Sequence, residues 1–326
     1  MLLKSQGDFS PRVSIIIPCW NAEAYVADAI SSALAQNYDN KEVIVIDDGS
    51  TDQSLAIIKQ FSDRIVWCSR ANQGCGKTRN HGIQIATGEF IKFLDADDFL
   101  LPGCIFSQVK ALSALIGNEF PVGRMYRLED SIGLIVPHGE RDHSVRRGES
   151  ITDLLIDVPV ITAPLYRRDV LLNVGGFDET LAIREDFDLF VRVLIAGANP
   201  VLTSEPVGVY RNHLSQGRVS RNVGEGKALN QLQMYEKLFE LLRALTDSPR
   251  QHLLAEGLAI SAWVTGRNVL RQGFKEIALG CFALAKRFSP KNHVSGRYPY
   301  RIINALFGPL FAELIFEKLK DLSFAK

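Results

Sequence analysis

The sequence has no excess of charge of either sign, because Lys and Arg together number 37 and Asp and Glu together also number 37. A chain without net charge lacks the broad field that attracts nucleic acid or an anionic surface, so charged ligands must be bound by local groups. No stretch reaches the roughly eighteen apolar residues of a transmembrane helix, and the start, MLLKSQGDFSPR, lacks the apolar core of a signal peptide. We therefore expect a cytoplasmic protein with no nucleic acid as partner.

Cysteine is scarce and scattered along the chain. The five cysteines form no CxxC pair and show no spacing typical of a zinc site. This pattern argues against a scaffold held by disulfides or zinc, and it predicts reduced, mostly packed thiols, as is typical of cytosolic proteins. The positions are Cys19, Cys68, Cys75, Cys104 and Cys281.

The sequence does contain a regular alternation of strand-like and helix-like segments. Short apolar, β-branched runs are followed by segments with helical periodicity, the first of which has Asn21 as its expected N-cap. Such alternation predicts an α/β fold with an open, mostly parallel sheet and helices on both faces. The predicted strands of this part are Val13–Ile17, Glu42–Ile46, Arg64–Cys68 and Phe90–Leu94.

The pattern changes beyond Leu101 and becomes helical after about Ser220. A chain of 326 residues can hold two domains, and apolar residues at helical spacing predict a C-terminal α-helical region. The elements predicted between these points are a strand-like stretch at Val122–Val136 with a turn at Glu129–Ser131, a strand at Val158–Tyr166, a helix beginning near Glu185 and a strand at Val207–Tyr210.

An acidic turn follows the predicted strand Phe90–Leu94. Asp95, Asp97 and Asp98 place three carboxylates within four residues, and such groups repel one another unless a cation or hydrogen-bond donors compensate. Carboxylate oxygens suit Mg²⁺ or Mn²⁺, which are commonly held by one or two carboxylates together with substrate phosphates. The turn therefore indicates a divalent-metal site, with an ordinary acidic surface turn as the alternative.

A second acidic pair, Asp47 and Asp48, follows the strand Glu42–Ile46. Ligands of open parallel sheets lie at the carboxyl ends of the strands, so Pro18, Asp48 and the acidic turn should open onto one crevice. Arg79, on a predicted helix, is placed to offset their charge. The alternative is that the acidic pair only caps the helix that follows.

Two further sets of residues allow both a functional and a structural interpretation. Glu185, Asp186 and Asp188 begin a predicted helix, where acids are favourable for the helix dipole alone, but where one carboxylate could also act as a general base. His213 follows the last predicted strand, and it is either a structural histidine or a contact to metal or phosphate.

Five stretches in this order resemble the glycosyltransferases of family 2, whose catalytic domain has the GT-A (Rossmann-like) fold. The stretches are VSIIIPCWNAEAYVADAISSALAQNY, EVIVIDDGSTD, NQGCGKTRNHGIQIATGEFIKFLDADD, GGFDE and EDFDLFVRV, which span roughly Val13 to His213. The resemblance implies a tail at residues 1–11, a nucleotide-sugar-binding half at 12–118, an acceptor-binding half at 119–220 and a helical region at 221–326.

The resemblance further implies an inverting transfer of a sugar from a nucleotide-diphosphate donor, with a UDP-sugar favoured, to a hydroxyl of a saccharide, glycolipid or glycoconjugate acceptor. The QxxRW motif and membrane spans of processive members are absent, which favours addition of a single sugar. The implied roles place Pro18 and Glu23 beside the nucleoside, Asp48 on the base, Arg79 near the base or diphosphate, Asp95 on the ribose, Asp97 on Mg²⁺ or Mn²⁺, and Asp186 as the catalytic base. His213 is predicted as a second metal ligand from its position after the last strand, and not from the resemblance.

Two other functions explain part of the pattern. A nucleotidyltransferase on a related sheet would also use acidic strand ends, but the first strand is not followed by a Gly-rich loop that bears Lys or Arg. A receiver-like module would hold Mg²⁺ with clustered acids, but it leaves the GGFDE segment and the acids near Glu185 unexplained.

The C-terminal region offers two features without a settled role. Small and apolar residues between Gly266 and Pro290 resemble the spacing of one tetratricopeptide hairpin. An apolar stretch from Ile302 to Ile315, broken at Gly308-Pro309, could cover the catalytic domain, form a homodimer or make a peripheral membrane contact.

Overall fold

The computed structural model describes residues 10–130, 133–137, 151–213, 224–296 and 298–324. Within these ranges the chain divides into two units. The sheet unit comprises the described residues up to 137 together with 157–213, and the helical unit comprises 151–156 together with the described residues from 224 onward. The domain boundaries implied by the resemblance, at residues 118 and 220, stay predictions.

The described residues contain the following elements. The strands are β1 Val13–Cys19, β2 Lys41–Asp47, β3 Val66–Ser69, β4 Phe90–Phe93, β5 Phe99–Leu100, β6 Glu119–Glu129, β7 Leu134–Pro137, β8 Tyr166–Arg167 and β9 Asn199–Asn212. The helices are α1 Val26–Leu34, α2 Ser54–Lys59, α3 Cys75–Ile85, α4 Cys104–Leu112, α5 Ile151–Ile156, α6 Arg168–Asn173, α7 Glu185–Ile195, α8 Glu225–Arg243, α9 Pro249–Arg271, α10 Lys275–Phe288 and α11 Tyr298–Phe324.

The central sheet of the sheet unit has the strand order β3-β2-β1-β4-β8. Its first four strands are parallel, and the short β8 joins β4 in antiparallel orientation. All seven residues of β1 are buried, as expected for a strand enclosed by helices on both faces. The predicted α/β fold with a mostly parallel sheet and a C-terminal helical region is confirmed.

A second sheet has the order β5-β9-β6-β7. The stretch predicted at Val122–Val136 is the antiparallel pair β6 and β7. The strand predicted at Val207–Tyr210 is the end of the fourteen-residue β9, which runs parallel to β6 and antiparallel to β5. Because β5 lies just after the acidic turn, β9 connects the second sheet to that turn.

The strand predicted at Val158–Tyr166 is wrong. Residues 158–165 form an irregular segment that is buried from Ile161 onward, with one isolated bridge between Pro164 and Val122, and the strand comprises only Tyr166 and Arg167. Pro159 contributes to the difference, because proline has no N–H to donate to a neighbouring strand.

The helical unit contains a helical hairpin, α9 and α10, joined by a turn at Gly273. The rings of Trp263 and Phe282 pack with centroids 4.6 Å apart, and Gly266 allows this close approach because a Cβ there would press on Phe282. Glu313 of α11 is 3% exposed and forms ion pairs with Arg267 and Arg271.

The helix α11 is kinked at Gly308 and presents exposed apolar side chains. The exposed large residues are Ile302, Leu306, Phe307, Phe311 and Leu314. Among the described residues, no helix combines the length and the apolar character needed to cross a membrane.

Candidate active site

The carboxyl ends of β1 and β2 lie side by side at one edge of the central sheet. The amide of Asp48 donates to the carbonyl of Cys19 at 2.8 Å, and Pro18 is buried in register with Ile46. Trp20, the first residue beyond β1, is 45% exposed. An exposed aromatic ring at a strand end offers a stacking face for a planar ligand group.

The segment after β1 is tied to the loop after β2. Asn21 has a φ of 47°, and its Oδ1 accepts a hydrogen bond from the amide of Thr51 at 2.8 Å. The predicted capping role of Asn21 is therefore wrong, since α1 begins only at Val26. Glu23 is exposed, and its Oε2 accepts from the amide of Gln53 at 2.8 Å.

Asp48 organises the loop that leads into α3. Its carboxylate accepts hydrogen bonds from the amides of Gln73, at 3.1 Å, and Gly74, at 2.8 Å. The Nε of Arg70 lies 3.3 Å from its Oδ1. Asp48 is 3% exposed, so its carboxylate is held in a fixed orientation at the strand edge.

The acidic turn after β4 has the geometry of a candidate metal site. Asp95, Asp97 and Asp98 each offer a carboxylate oxygen, and these atoms all lie within 4.8 Å of one another. Asp95 and Asp97 are partly exposed, whereas Asp98 is 2% exposed. Three carboxylates packed this closely are the donor set that a hard divalent cation prefers.

The end of β9 adds an imidazole to this site. His213 Nε2 lies 2.9 Å from Asp97 Oδ2, and ligand atoms of an octahedral Mg²⁺ site are separated by about 3 Å. The amide of Arg211 donates to Asp98 Oδ1 at 2.9 Å, and its side chain donates to the carbonyl of Asp97 at 3.2 Å. Asp98 and Arg211 therefore hold the turn against β9, and Asp97 and His213 are placed to share an ion.

The first turn of α7 carries Glu185 and Asp186. The preceding Arg184 has a left-handed φ of 62°, a conformation that is costly for a residue with a Cβ. Asp186 Oδ1 accepts from the amide of Phe187 at 2.7 Å, a local bond that leaves the second oxygen for other partners. Burial raises the pKa of Tyr166, and the negative charge of the Asp186 carboxylate adds to that rise.

Arg79 bridges the acidic turn and α7. Its Nη2 lies 2.6 Å from Asp95 Oδ1, and its Nη1 lies 2.8 Å from Glu185 Oε1. The side chain is 4% exposed, and its guanidinium lies 5.2 Å from the ring centroid of Phe177. Burial raises the pKa of the Glu185 carboxyl, the Arg79 guanidinium opposes that rise, and the Asp186 carboxylate adds to it.

Asn80, the next residue of α3, holds the GGFDE segment. Its Oδ1 accepts from the amide of Phe177 at 2.7 Å, and its Nδ2 donates to the Phe177 carbonyl at 3.0 Å and to Glu179 Oε1 at 2.9 Å. Gly176 has a φ of 68°, and a Cβ at this position would clash with Asn80 Oδ1.

We expect Gly176→Ala to destabilise the sheet unit by about 2–4 kcal/mol, because the clash adds to the cost of a left-handed alanine. Gly175→Ala is the matched control, since Gly175 has a φ of 82° but no atom within 4 Å of an added Cβ. Chemical denaturation should rank Gly176→Ala below Gly175→Ala in stability. Equal losses for the two variants would contradict the role of the Asn80 contact.

The structure brings most of the predicted site residues together. Direct contacts link one group around the acidic turn, and the other group lies at the ends of the neighbouring strands β1 and β2. The first group is Arg79, Asp95, Asp97 and His213, with Asp186 beside Glu185, and the second is Pro18, Glu23 and Asp48. The acidic turn can bind a divalent cation, and Arg79 connects this turn to the helix start that carries Asp186.

Three residues at this edge were not recognised from the sequence as holding the site together. Arg211 and Asn80 act through contacts to distant segments, and Glu185 appeared only as one of several acids at a helix start. The one available signal was position, because Asn80 directly follows Arg79 and Arg211 lies two residues before His213.

The chain is a glycosyltransferase of the glycosyl transferase family 2, whose family model matches residues 14–174. An uncharacterized glycosyltransferase of Rickettsia typhi is 32% identical over 256 residues, which are 74% of each chain. Membership of this family decides against the nucleotidyltransferase and the receiver-like module.

Solved structures with the same fold have lower sequence identity. S. aureus TarS 1-349, in complex with UDP-GlcNAc, has a TM-score of 0.72 at 20% identity, over 95% of this chain and 92% of that chain. The mannosyltransferase PcManGT from Pyrobaculum calidifontis, in complex with GDP-Man and Mn²⁺, has a TM-score of 0.57 at 16% identity, over 97% of this chain and 88% of that chain. The GT-A fold expected from the sequence is thereby confirmed.

Proposed function

We propose that this protein is an inverting glycosyltransferase that moves a single sugar from a nucleotide-diphosphate donor to a hydroxyl of a saccharide or glycoconjugate acceptor. The observation that carries the proposal is the bridge made by Arg79, which joins the acidic turn at Asp95 to the helix start that bears Asp186. A cation site and a carboxylate base side by side are the two parts that displacement of a nucleoside diphosphate requires.

Mg²⁺ or Mn²⁺ is the cofactor that suits the acidic turn. Asp97 and His213 would hold the ion, and donor phosphate oxygens and water would complete its shell. A bound cation stabilises the negative charge that accumulates on a diphosphate leaving group. The Mn²⁺ in the PcManGT complex supports this assignment by analogy of fold.

Asp186 is the proposed general base. Its carboxylate accepts the proton of the acceptor hydroxyl while the hydroxyl oxygen forms the new bond to the anomeric carbon and the bond to the diphosphate breaks. Attack on the face opposite the leaving group in a single displacement inverts the anomeric configuration. The position of Asp186 on the first turn of α7 allows its side chain to reach beyond the helix end.

The nucleoside is proposed to lie against the ends of β1 and β2. Pro18 and Glu23 would border it, the fixed carboxylate of Asp48 would accept from the base, and Trp20 would supply a stacking face. Asp95 would contact the ribose, and the resemblance places Arg79 near the base or diphosphate. The UDP-GlcNAc in the TarS complex favours a UDP-sugar as donor.

The division into donor and acceptor halves at residue 118, the cytoplasmic location and the acceptor remain proposals. The acceptor would be a saccharide, glycolipid or glycoconjugate. Two partners are proposed for the exposed apolar face of α11: a membrane surface, in a peripheral contact, or a second copy of the chain.

A thermal-shift panel tests the donor and the metal. Because a ligand that binds only the folded state stabilises it by mass action, UDP at about 100 times its Kd should contribute about 2.7 kcal/mol and raise Tm by several degrees, and Mn²⁺ should increase this shift. ADP with Mn²⁺ is the control for non-specific binding. Transfer is then measured as UDP release from UDP-sugars, and release of pyrophosphate from nucleoside triphosphates instead would contradict the proposal.

A further inference from the structure

We infer that Arg79 is a positioning residue, which sets the location of the base Asp186 through Glu185 and does not itself contact the donor. The inference rests on the proposed function, since it concerns the same site. It revises the direct contact that the resemblance implies for Arg79, and it adds Glu185 as a second positioning residue.

The first argument is that both outer nitrogens of the guanidinium are already paired with carboxylates, whereas the Nε is buried and has no hydrogen-bond partner among the described residues. Both outer nitrogens lie within 2.8 Å of carboxylate oxygens, one from Asp95 and one from Glu185. With 4% of its side chain exposed, Arg79 has little surface left for a diphosphate. A planar guanidinium with a fixed fork of donors is suited to join two carboxylates in one geometry, whereas an ammonium acts as a single point charge.

The second argument is that the backbone at the start of α7 needs a contact from another segment to stabilise it. Arg184 enters the helix in a left-handed conformation, which costs of order 1–3 kcal/mol and persists only where surrounding contacts impose it. The hydrogen bond from Phe187 to Asp186 is local and connects Asp186 to no other segment. Glu185 makes a long-range contact at this helix start, so the Arg79–Glu185 pair holds the backbone from which the side chain of Asp186 projects.

The third argument is that Arg79 also contacts the acidic turn. Arg79 binds Asp95 through Nη2, and Asp95 belongs to the same turn as the proposed metal ligand Asp97. The buried guanidinium of Arg79 on α3 therefore holds both the segment with the base and the turn that would bind the cation. Misplacement of a reacting group by about 1 Å can lower the rate about a hundredfold, so these two contacts matter for turnover.

A double-mutant cycle on kcat tests the inference. Arg79→Lys keeps the charge but cannot span both carboxylates, and Glu185→Gln keeps the shape but removes the charge. We expect each single variant to lower kcat by about 10- to 100-fold. The kcat of the double variant should be no lower than that of the less active single variant, because the effects of residues that act as a unit are non-additive. The Kd for UDP with Mn²⁺ should stay within about threefold of wild type in Glu185→Gln, because this variant leaves the Arg79–Asp95 pair in place.

Two results would overturn the inference: multiplication of the two kcat losses in the double variant, or a loss of UDP affinity in Glu185→Gln that parallels its loss of kcat. The second result would show that the Arg79–Glu185 pair acts on the donor and not on the base. Arg267→Gln is the matched control, since it breaks an Arg–Glu pair of the helical unit and should lower stability without changing kcat.

Amide hydrogen exchange separates this inference from the proposed function. If wild-type protein transfers no sugar, the proposed function fails, but Arg79→Lys should still speed exchange at the amides of residues 186–190 relative to wild type and to Arg267→Gln. Unchanged exchange at these amides would overturn the positioning role, whatever the activity.

Discussion

Replacement of Asp186 with asparagine is expected to abolish sugar transfer, with kcat reduced by about a thousandfold or more. Asparagine has nearly the same shape but cannot take the proton of the acceptor hydroxyl, and a positioned general base typically contributes about 10²- to 10⁴-fold. Binding of UDP with Mn²⁺ should change by less than about threefold, because the proposed donor contacts lie on other elements. Steady-state kinetics and the thermal-shift assay measure the two effects separately.

Asp169→Asn is a close structural control for this variant. Asp169 is also the second residue of a helix, and it also accepts from the amide of the next residue, Val170, at 2.8 Å. The substitution therefore removes the same negative charge from a helix start, and keeps an oxygen that can accept from the next amide, at a site that is 65% exposed. If Asp186→Asn lost no more activity than Asp169→Asn, Asp186 would be a helix-start acid and the base would have to be another group.

Asp97→Asn should produce the second large effect, a fall of at least about a thousandfold in kcat/KM at low Mn²⁺ together with loss of the Mn²⁺-dependent part of the UDP thermal shift. An amide oxygen is a weaker ligand for a hard cation than a carboxylate, and the cation carries the electrostatic stabilisation of the departing diphosphate. Raising the Mn²⁺ concentration should restore part of the activity, because the loss is one of metal affinity.

The control for Asp97→Asn is Asp63→Asn, which changes an aspartate that is 78% exposed and outside the acidic turn. It should leave both the Mn²⁺ dependence and kcat unchanged. A variant at Asp97 that loses activity but keeps the full Mn²⁺-dependent shift would show that the ion binds elsewhere.

The sequence was sufficient for the architecture because the central strands are governed by local rules. β1, β2 and β4 are short β-branched or aromatic runs separated by helices, and this pattern alone predicts a buried parallel sheet. The failures occurred where proline or tertiary contacts decide. Val158–Tyr166 is apolar enough for a strand but contains two prolines. Asn21 has a side chain suited to cap a helix, but its Oδ1 accepts a hydrogen bond from the amide of Thr51 instead.

The candidate site divides in the same way. The acidic turn and the acids near Asp186 were visible because several carboxylates close together need an explanation wherever they occur. The contact between Arg79 and Glu185 joins residues separated by 106 positions, and no local pattern encodes a pair at that distance. Charge matching predicted that Arg79 would offset acidic groups, but the particular acids depend on how α7 packs.

The last part of β9, from Gly208 to Asn212, imposes a constraint on length as well as on composition. Here the strand pairs residue by residue with β6, after register shifts earlier in the strand, and it leads to His213 at the acidic turn. Since side chains alternate between the two faces of a strand, deletion of a single residue would turn every later side chain to the opposite face. Natural diversification of this enzyme can therefore exchange side chains between Gly208 and Asn212, but insertions and deletions belong in the irregular part of β9 before Gly208 or outside the strand.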